Sequence, residues 1–186
     1  EYAFKLPALP TPSRLSNFDG NISIVSKRSI HSPVDFKAMV RALPTQEEIE
    51  AIADDEIRAE MAEITANMKK NLSEIEKKLA RGEIDLDLPV RLSEAEIPSL
   101  PDRPKPVKFG VAVGTFDPIH WGHINFWLEF INKFNRPVFV SPNGDIKEYK
   151  EKKLLKEARH NLLKAAIDAF APLINYSPVG FDHDEL

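Results

Sequence analysis

Residues 114–123 read GTFDPIHWGH and place two histidines, His120 and His123, three positions apart with Gly122 between them. Imidazoles at this spacing at the start of a helix can point to one side. Beside them Gly114 permits a tight turn, Thr115 offers a hydroxyl and an amide, and Pro118 stiffens the chain. Free amides and the dipole at a helix start favour an anion there. Two imidazoles next to a phosphate suit hydrogen-bond stabilisation of the charge that builds up in phosphoryl transfer, with no covalent intermediate. A metal bound by the pair is the competing chemistry, with Asp117 the available third ligand. His-x-x-His alone is a poor zinc site, and we expect no protein-ligated metal. An ordinary polar turn that happens to hold imidazoles is the plainest alternative.

The surrounding pattern decides whether such a turn has a scaffold. VKFGVAV (107–113) is a short apolar run ending at a Gly-Thr turn, and it reads as a buried parallel strand. HINFWLEFINKF (123–134) follows as a helix starting near Trp121 or Gly122, with Phe126, Phe130, Ile131 and Phe134 on one face. RPVFVSP (136–142) is a second strand, which completes a βαβ unit. A long helix is expected at about 151–170, with Leu154, Leu155, Ala158, Leu162, Leu163, Ala166 and Ile167 inward, followed by a third strand at LINYSPV (173–179). Residues 107–186 thus read as βαβαβ, a partial Rossmann-like parallel sheet. In such sheets ligands bind at the carboxyl ends of the strands, where GTFDPIHWGH lies.

Residues 1–105 read as a mostly helical N-terminal extension, with the boundary near 105. Prolines 7, 10, 12, 33 and 44 make residues 1–44 an irregular arm, holding one short strand at NISIVS and one short helix at VDFKAMVRAL. A long helix is predicted over 46–81, from a Thr45/Glu48 capping box to Gly82. Its apolar residues Ile57, Met61, Ile64, Met68, Leu72, Ile75 and Leu79 fall at spacings of 4, 3, 4, 4, 3 and 4. That stripe on a helix of roughly 54 Å must be buried, either on its own chain or on a second copy or partner. Prolines 89, 98, 101, 104 and 106 make 86–106 an extended linker.

Composition narrows the function classes. The 186 residues contain no cysteine, which removes disulfides, thiolate nucleophiles and Cys-ligated metals. The net charge is −4, and residues 107–186 balance ten basic against ten acidic side chains, so neither half carries the basic excess of a nucleic-acid binder. No apolar run approaches the ~20 residues of a membrane span. A cytoplasmic protein is expected.

Strand, Gly-Thr-Phe-Asp-Pro-Ile-His-x-Gly-His, then helix resembles the first motif of the nucleotidyltransferase superfamily related to class I aminoacyl-tRNA synthetases. Within it, Pro118-Ile119-His120 is most similar to the bacterial nicotinate-nucleotide adenylyltransferases. Pantetheine-phosphate adenylyltransferases usually carry threonine at the place of His120, and cytidylyltransferases leucine and phenylalanine at those of Pro118 and Ile119. Pro142, Lys150 and EARHNLLKAAI fit that family's loop, lysine and following helix. The resemblance implies transfer of AMP from ATP to nicotinate or nicotinamide mononucleotide, with release of pyrophosphate and with Mg²⁺ carried by the nucleotide. It casts His120, His123 and Lys150 as catalytic, with Lys147 an alternative for the lysine. Gly114, Thr115, Phe116, Asp117, Gly122 and Arg159 become nucleotide-site residues. Val113 and Trp121 depart from the family pattern, which has a glycine and a small or polar residue there. The family's later Ser/Thr-x-x-Arg motif and adenine-binding segment are not found after the third strand, and with a glutamate start the chain is expected to be a fragment. The opposing class is a non-catalytic remnant that works as a scaffold through its long helix.

Overall fold

The computed structural model describes residues 24–27, 34–84, 86, 88–91, 109–143 and 154–178. In chain order its elements are β1 (Ile24–Lys27), α1 (Phe36–Ala42), α2 (Gln46–Glu50), α3 (Asp55–Ala80), β2 (Leu88–Arg91), β3 (Gly110–Gly114), α4 (Trp121–Phe134), β4 (Val138–Pro142), α5 (Lys156–Ile167) and β5 (Ile174–Tyr176). They fall into two compact units. One contains β1 and β2, paired antiparallel from Ile24 opposite Arg91 to Lys27 opposite Leu88. The other contains everything else, so α1–α3 share a unit with the α/β elements.

In the larger unit β3, β4 and β5 form a parallel sheet in that order. Gly110 pairs with Val138 and Val138 with Ile174, so each strand lies beside its successor. By the right-handed rule for such crossovers, two in succession in one direction are expected to put α4 and α5 on the same face. This is the Rossmann-like α/β arrangement expected from the sequence.

Local chemistry explains where the helices begin and end. Asp35 caps α1, accepting from the Ala38 N–H at 2.8 Å. Thr45 and Glu48 form the expected capping box of α2. The single helix predicted over 46–81 is in fact two. The first ends at Glu50 with Ala51 as its C-cap, and Asp54 caps the second, its Oδ1 accepting from the N–H groups of Glu56 at 2.9 Å and Ile57 at 3.0 Å. An aspartate that caps so well competes with helix continuation, and here it wins. At the far end Gly82 adopts φ +70°, and the Gly82 and Glu83 amides return to the carbonyls of Leu79 and Lys78. These two bonds make the Schellman closure that the glycine foretold.

The apolar stripe of α3 is buried within its own chain. Met68, Leu72 and Ile75 join one core with α4 and the sheet, flanked by the half-buried Ile64 and Leu79. Polar contacts register the two helices: Asn132 donates to Asn71 Oδ1 at 3.0 Å, and Lys78 reaches the Asn132 carbonyl and Asn135 Oδ1. Ile57, at the start of the stripe, is left exposed.

Three further expectations need correction. The segment read as an extended linker over 86–106 contains β2, whose pairing with β1 was not foreseen because Pro89 argues against a strand. The buried face of α4 is Ile124, Trp127, Leu128 and Ile131, while Phe126 is 62% and Phe134 52% exposed. Helix α4 is apolar around most of its circumference, so its sequence does not single out the inward face. On α5, Leu155 is exposed and Arg159 and His160 are buried where neither was expected, while Leu163 and Ile167 are buried and Leu162 and Ala166 pack against the core as expected.

Leu72→Ala empties a fully enclosed site and is expected to cost roughly 2–5 kcal/mol in urea unfolding. Ile57→Ala, on the same stripe but exposed, is expected to cost about 0.5 kcal/mol or less. Equal costs would mean that the stripe is not buried as described.

Candidate active site

The turn between β3 and α4 lies at the carboxyl end of the sheet and is shaped by close approaches. A Cβ on Gly110 would sit 2.5 Å from the Phe130 ring, so the glycine brings α4 down onto the strand. At Gly114 the same space is filled by the Phe116 ring, 2.8 Å from where a Cβ would stand. Phe116 itself is buried and holds φ 45°, a left-handed conformation that a bulky residue adopts only under constraint. At Gly122 the His120 ring comes within 3.1 Å of the missing Cβ. The glycine between the histidines therefore lets His120 fold over the first turn of the helix.

His120 is the N-cap of α4, and His123 lies in its first turn. Their ring centroids are 3.8 Å apart. The His120 main-chain N–H donates to Nδ1 of His123 at 3.3 Å, which makes Nδ1 an acceptor and leaves Nε2 to carry the proton of the neutral ring. His120 is exposed and His123 half-buried. Burial pushes the His123 imidazole from its ordinary value down to about 4, and the neighbouring His120 charge adds to the shift. At neutral pH His123 is thus an uncharged imidazole with one N–H to offer.

The turn is braced from α5. Arg159 is completely buried, and its Nη1 donates to the carbonyl oxygens of Thr115 and Asn143, both at 3.0 Å. The Asn143 amide in turn donates to the Gly114 carbonyl at 2.8 Å, continuing the strand pairing one residue past β4. Asp117 Oδ1 accepts from the Leu154 N–H at 3.0 Å, which ties the other side of the turn to the approach of α5. One residue along, His160 Nδ1 lies 2.8 Å from the Tyr176 hydroxyl at the end of β5. The first turns of α5 thus hold the ends of all three strands.

Of the residues assigned from sequence, Gly114, Thr115, Phe116, Asp117, His120, Gly122, His123 and Arg159 gather at this one strand end. Lys150, and Lys147 as its alternative, lie outside the described residues. Sequence reasoning passed over Asn143 and Trp127. Asn143 carries a signal that could have been used, since it follows the second strand at the carboxyl edge where ligand-facing turns occur. Trp127 had the signal of falling one helical turn after His123, on the same face. Among the described residues no group of three or more His, Asp or Glu side chains is placed to hold a metal ion. No helix among them is long and apolar enough to cross a membrane.

Residues 111–183 match the family model described as Cytidylyltransferase-like. The match runs from the second residue of β3 past β5 and so covers nearly all of the βαβαβ unit and its turn. It supports the nucleotidyltransferase superfamily, and with it a general adenylyl- or cytidylyltransferase activity. No curated protein and no solved structure matches the chain.

The depressed His123 pKa has a consequence for stability. Between about pH 6.5 and about 4 the unfolded chain holds a proton on His123 that the folded chain does not. The unfolded state binds more protons there, so stability falls as pH drops through this window and the effect is complete near its lower end. Thermal midpoints of the native chain and of His123→Asn, measured from pH 8 to 4, are expected to converge as the pH falls. A difference independent of pH would contradict the assigned environment.

Proposed function

We propose that this site catalyses transfer of AMP from ATP, entering as its magnesium complex, to nicotinate or nicotinamide mononucleotide in NAD biosynthesis. A phosphate oxygen of the mononucleotide attacks the α-phosphorus of ATP, the bond from that phosphorus to the bridging oxygen breaks, and pyrophosphate leaves with the electron pair. The observation that carries this reading is the close histidine pair at the mouth of α4, with ring centroids 3.8 Å apart and a neutral N–H donor beside a helix N-terminus. Such donors stabilise charge on transferring phosphoryl oxygens without becoming bonded to them.

The choice of adenylyl transfer to a pyridine mononucleotide rests on the wording Pro118-Ile119-His120 and its resemblance to that branch. Magnesium is assigned to the nucleotide because the turn offers donors rather than carboxylates, and the one acid in it, Asp117, already accepts a main-chain N–H. Gly114, Thr115 and Gly122 line the phosphate position, and Arg159 holds the Thr115 carbonyl in place. Lys150 is proposed to add positive charge to the leaving pyrophosphate. The opposing scaffold reading loses its main support, since the α3 stripe it relied on is occupied by α4.

Pyrophosphate release from ATP, with nicotinate mononucleotide, nicotinamide mononucleotide, phosphopantetheine and glycerol 3-phosphate offered in turn, tests the reading. Turnover is expected with the first two. His120→Ala and His123→Ala should each lower kcat by about 10²-fold or more, the scale for removing a preorganised donor. Turnover with phosphopantetheine alone would move the protein to another branch, and full activity in both variants would remove the histidines from the chemistry.

A further inference from the structure

Helix α4 carries a feature that the transfer chemistry does not itself require. Phe116, His123 and Trp127 form a cluster of three rings. Phe116 stands edge-on to both others, with centroids 5.2 Å from His123 and 5.5 Å from Trp127 and interplanar angles of 86° and 80°. His123 and Trp127, one helical turn apart, lie nearly parallel at 6.0 Å and 27°. Trp127 is 2% exposed and belongs to the core, so it is enclosed by the fold rather than offered to a ligand. Any influence it has on the reaction passes through His123.

We propose that Trp127 is a positioning residue for His123: with Phe116 it fixes the plane of the imidazole and shields it from water, so that His123 meets a phosphate as a neutral Nε2–H donor. The proposal rests on the reading that His123 serves phosphoryl transfer. Geometry supports it from both sides of the ring, because the His120 amide holds Nδ1 while the aromatic walls limit rotation about the side chain. The lowered His123 pKa, caused first by burial, agrees with this environment.

Few charges compete with that cause. His120 is the titratable neighbour that acts on His123. The face that α3 buries consists of Thr65, Met68, Asn71, Leu72 and Ile75, and Lys78 reaches α4 only at Asn132 and Asn135, near its other end. Strand β3 has no titratable side chain. Asp117 is turned to the Leu154 amide, Arg159 to the carbonyls of Thr115 and Asn143, and His160 to Tyr176. On α4 itself Glu129 accepts from Asn125.

The test uses the full chain with Trp127→Leu, Trp127→Phe and Ile131→Val. Ring-proton NMR titration reads the His123 pKa, with its signal assigned by loss in His123→Gln, and pyrophosphate release is followed against pH. Trp127→Leu is expected to raise the His123 pKa toward the ordinary value of about 6.5. It should also move the acid limb of kcat upward by the same amount, and lower kcat at neutral pH by on the order of tenfold to 10²-fold with a small change in KM. Trp127→Phe should recover most of each effect. Ile131→Val should reduce stability while leaving the His123 pKa in place. An unchanged His123 pKa in Trp127→Leu overturns the proposal. If Trp127→Leu fails to fold, Trp127→Met takes its place, since it removes the ring and keeps much of the volume: an upward His123 shift there that is absent in Ile131→Val supports the proposal, and equal values in the two overturn it. Should the native chain release no pyrophosphate, the transferase reading fails, while the NMR titration still decides whether Trp127 sets the state of His123.

Discussion

The turn that holds the histidines depends on a single buried guanidinium. Arg159 sits without solvent contact at the carboxyl ends of β3 and β4 and donates to the carbonyls of Thr115 and Asn143. Burying this charge is costly unless hydrogen bonds replace its hydration. The cost makes the arrangement specific, because only a turn that presents both carbonyls at hydrogen-bond distance satisfies its Nη1. Through it α5 clamps the ends of two strands, and Asp117 adds a second tie to the Leu154 amide. The proposed phosphate site, built largely of main-chain groups, could hold its geometry only if the main chain is fixed in this way, since such donors cannot adjust by changing rotamer.

Helix α4 answers several demands at once, and its sequence records them. Its first turn must be polar and open, with His120 exposed and Gly122 leaving room for that ring. Within one further turn Trp127 must be buried against Phe116 and the core. His123 falls between these regimes, half in each. That position explains how one side chain can be close enough to water to reach a ligand and dry enough to remain uncharged near neutral pH. The same helix is covered on another side by α3, through Leu72, Ile75 and the Asn71–Asn132 pair. Residues far upstream in the chain therefore belong to the body that aims the site.

Much of this was legible in the sequence wherever a local rule acted alone. The three strands, the helix start at Trp121, the Thr45 capping box and the Gly82 closure all follow from patterns a few residues long. The turn GTFDPIHWGH announced itself through residue types that have few other reasons to occur together. What escaped was decided by competition or by distance. Asp54 had to be weighed against a continuous apolar stripe, and it broke the helix at a place the stripe did not mark. The inward face of α4 could not be read because phenylalanine occupies its outward face too. Pro89 concealed a strand whose partner lies more than sixty residues upstream. Asn143 matters only because Arg159 and Gly114 meet it in space.

The two halves of the site chemistry require opposite surroundings, and this accounts for its asymmetry. Two adjacent imidazoles cannot both be protonated without repulsion, and a helix N-terminus adds its own positive potential. One ring must therefore stay neutral at working pH. The structure achieves this by unequal burial: His123 is backed by Phe116 and Trp127, while His120 stands toward solvent. A neutral donor offers a weaker field than a cation but gains from a dry setting, where its N–H is worth more than it would be in water. The apolar wall behind His123 is thus part of the electrostatic design. It keeps positive charge off one histidine, which is what the proposed contact with a phosphate asks of that ring.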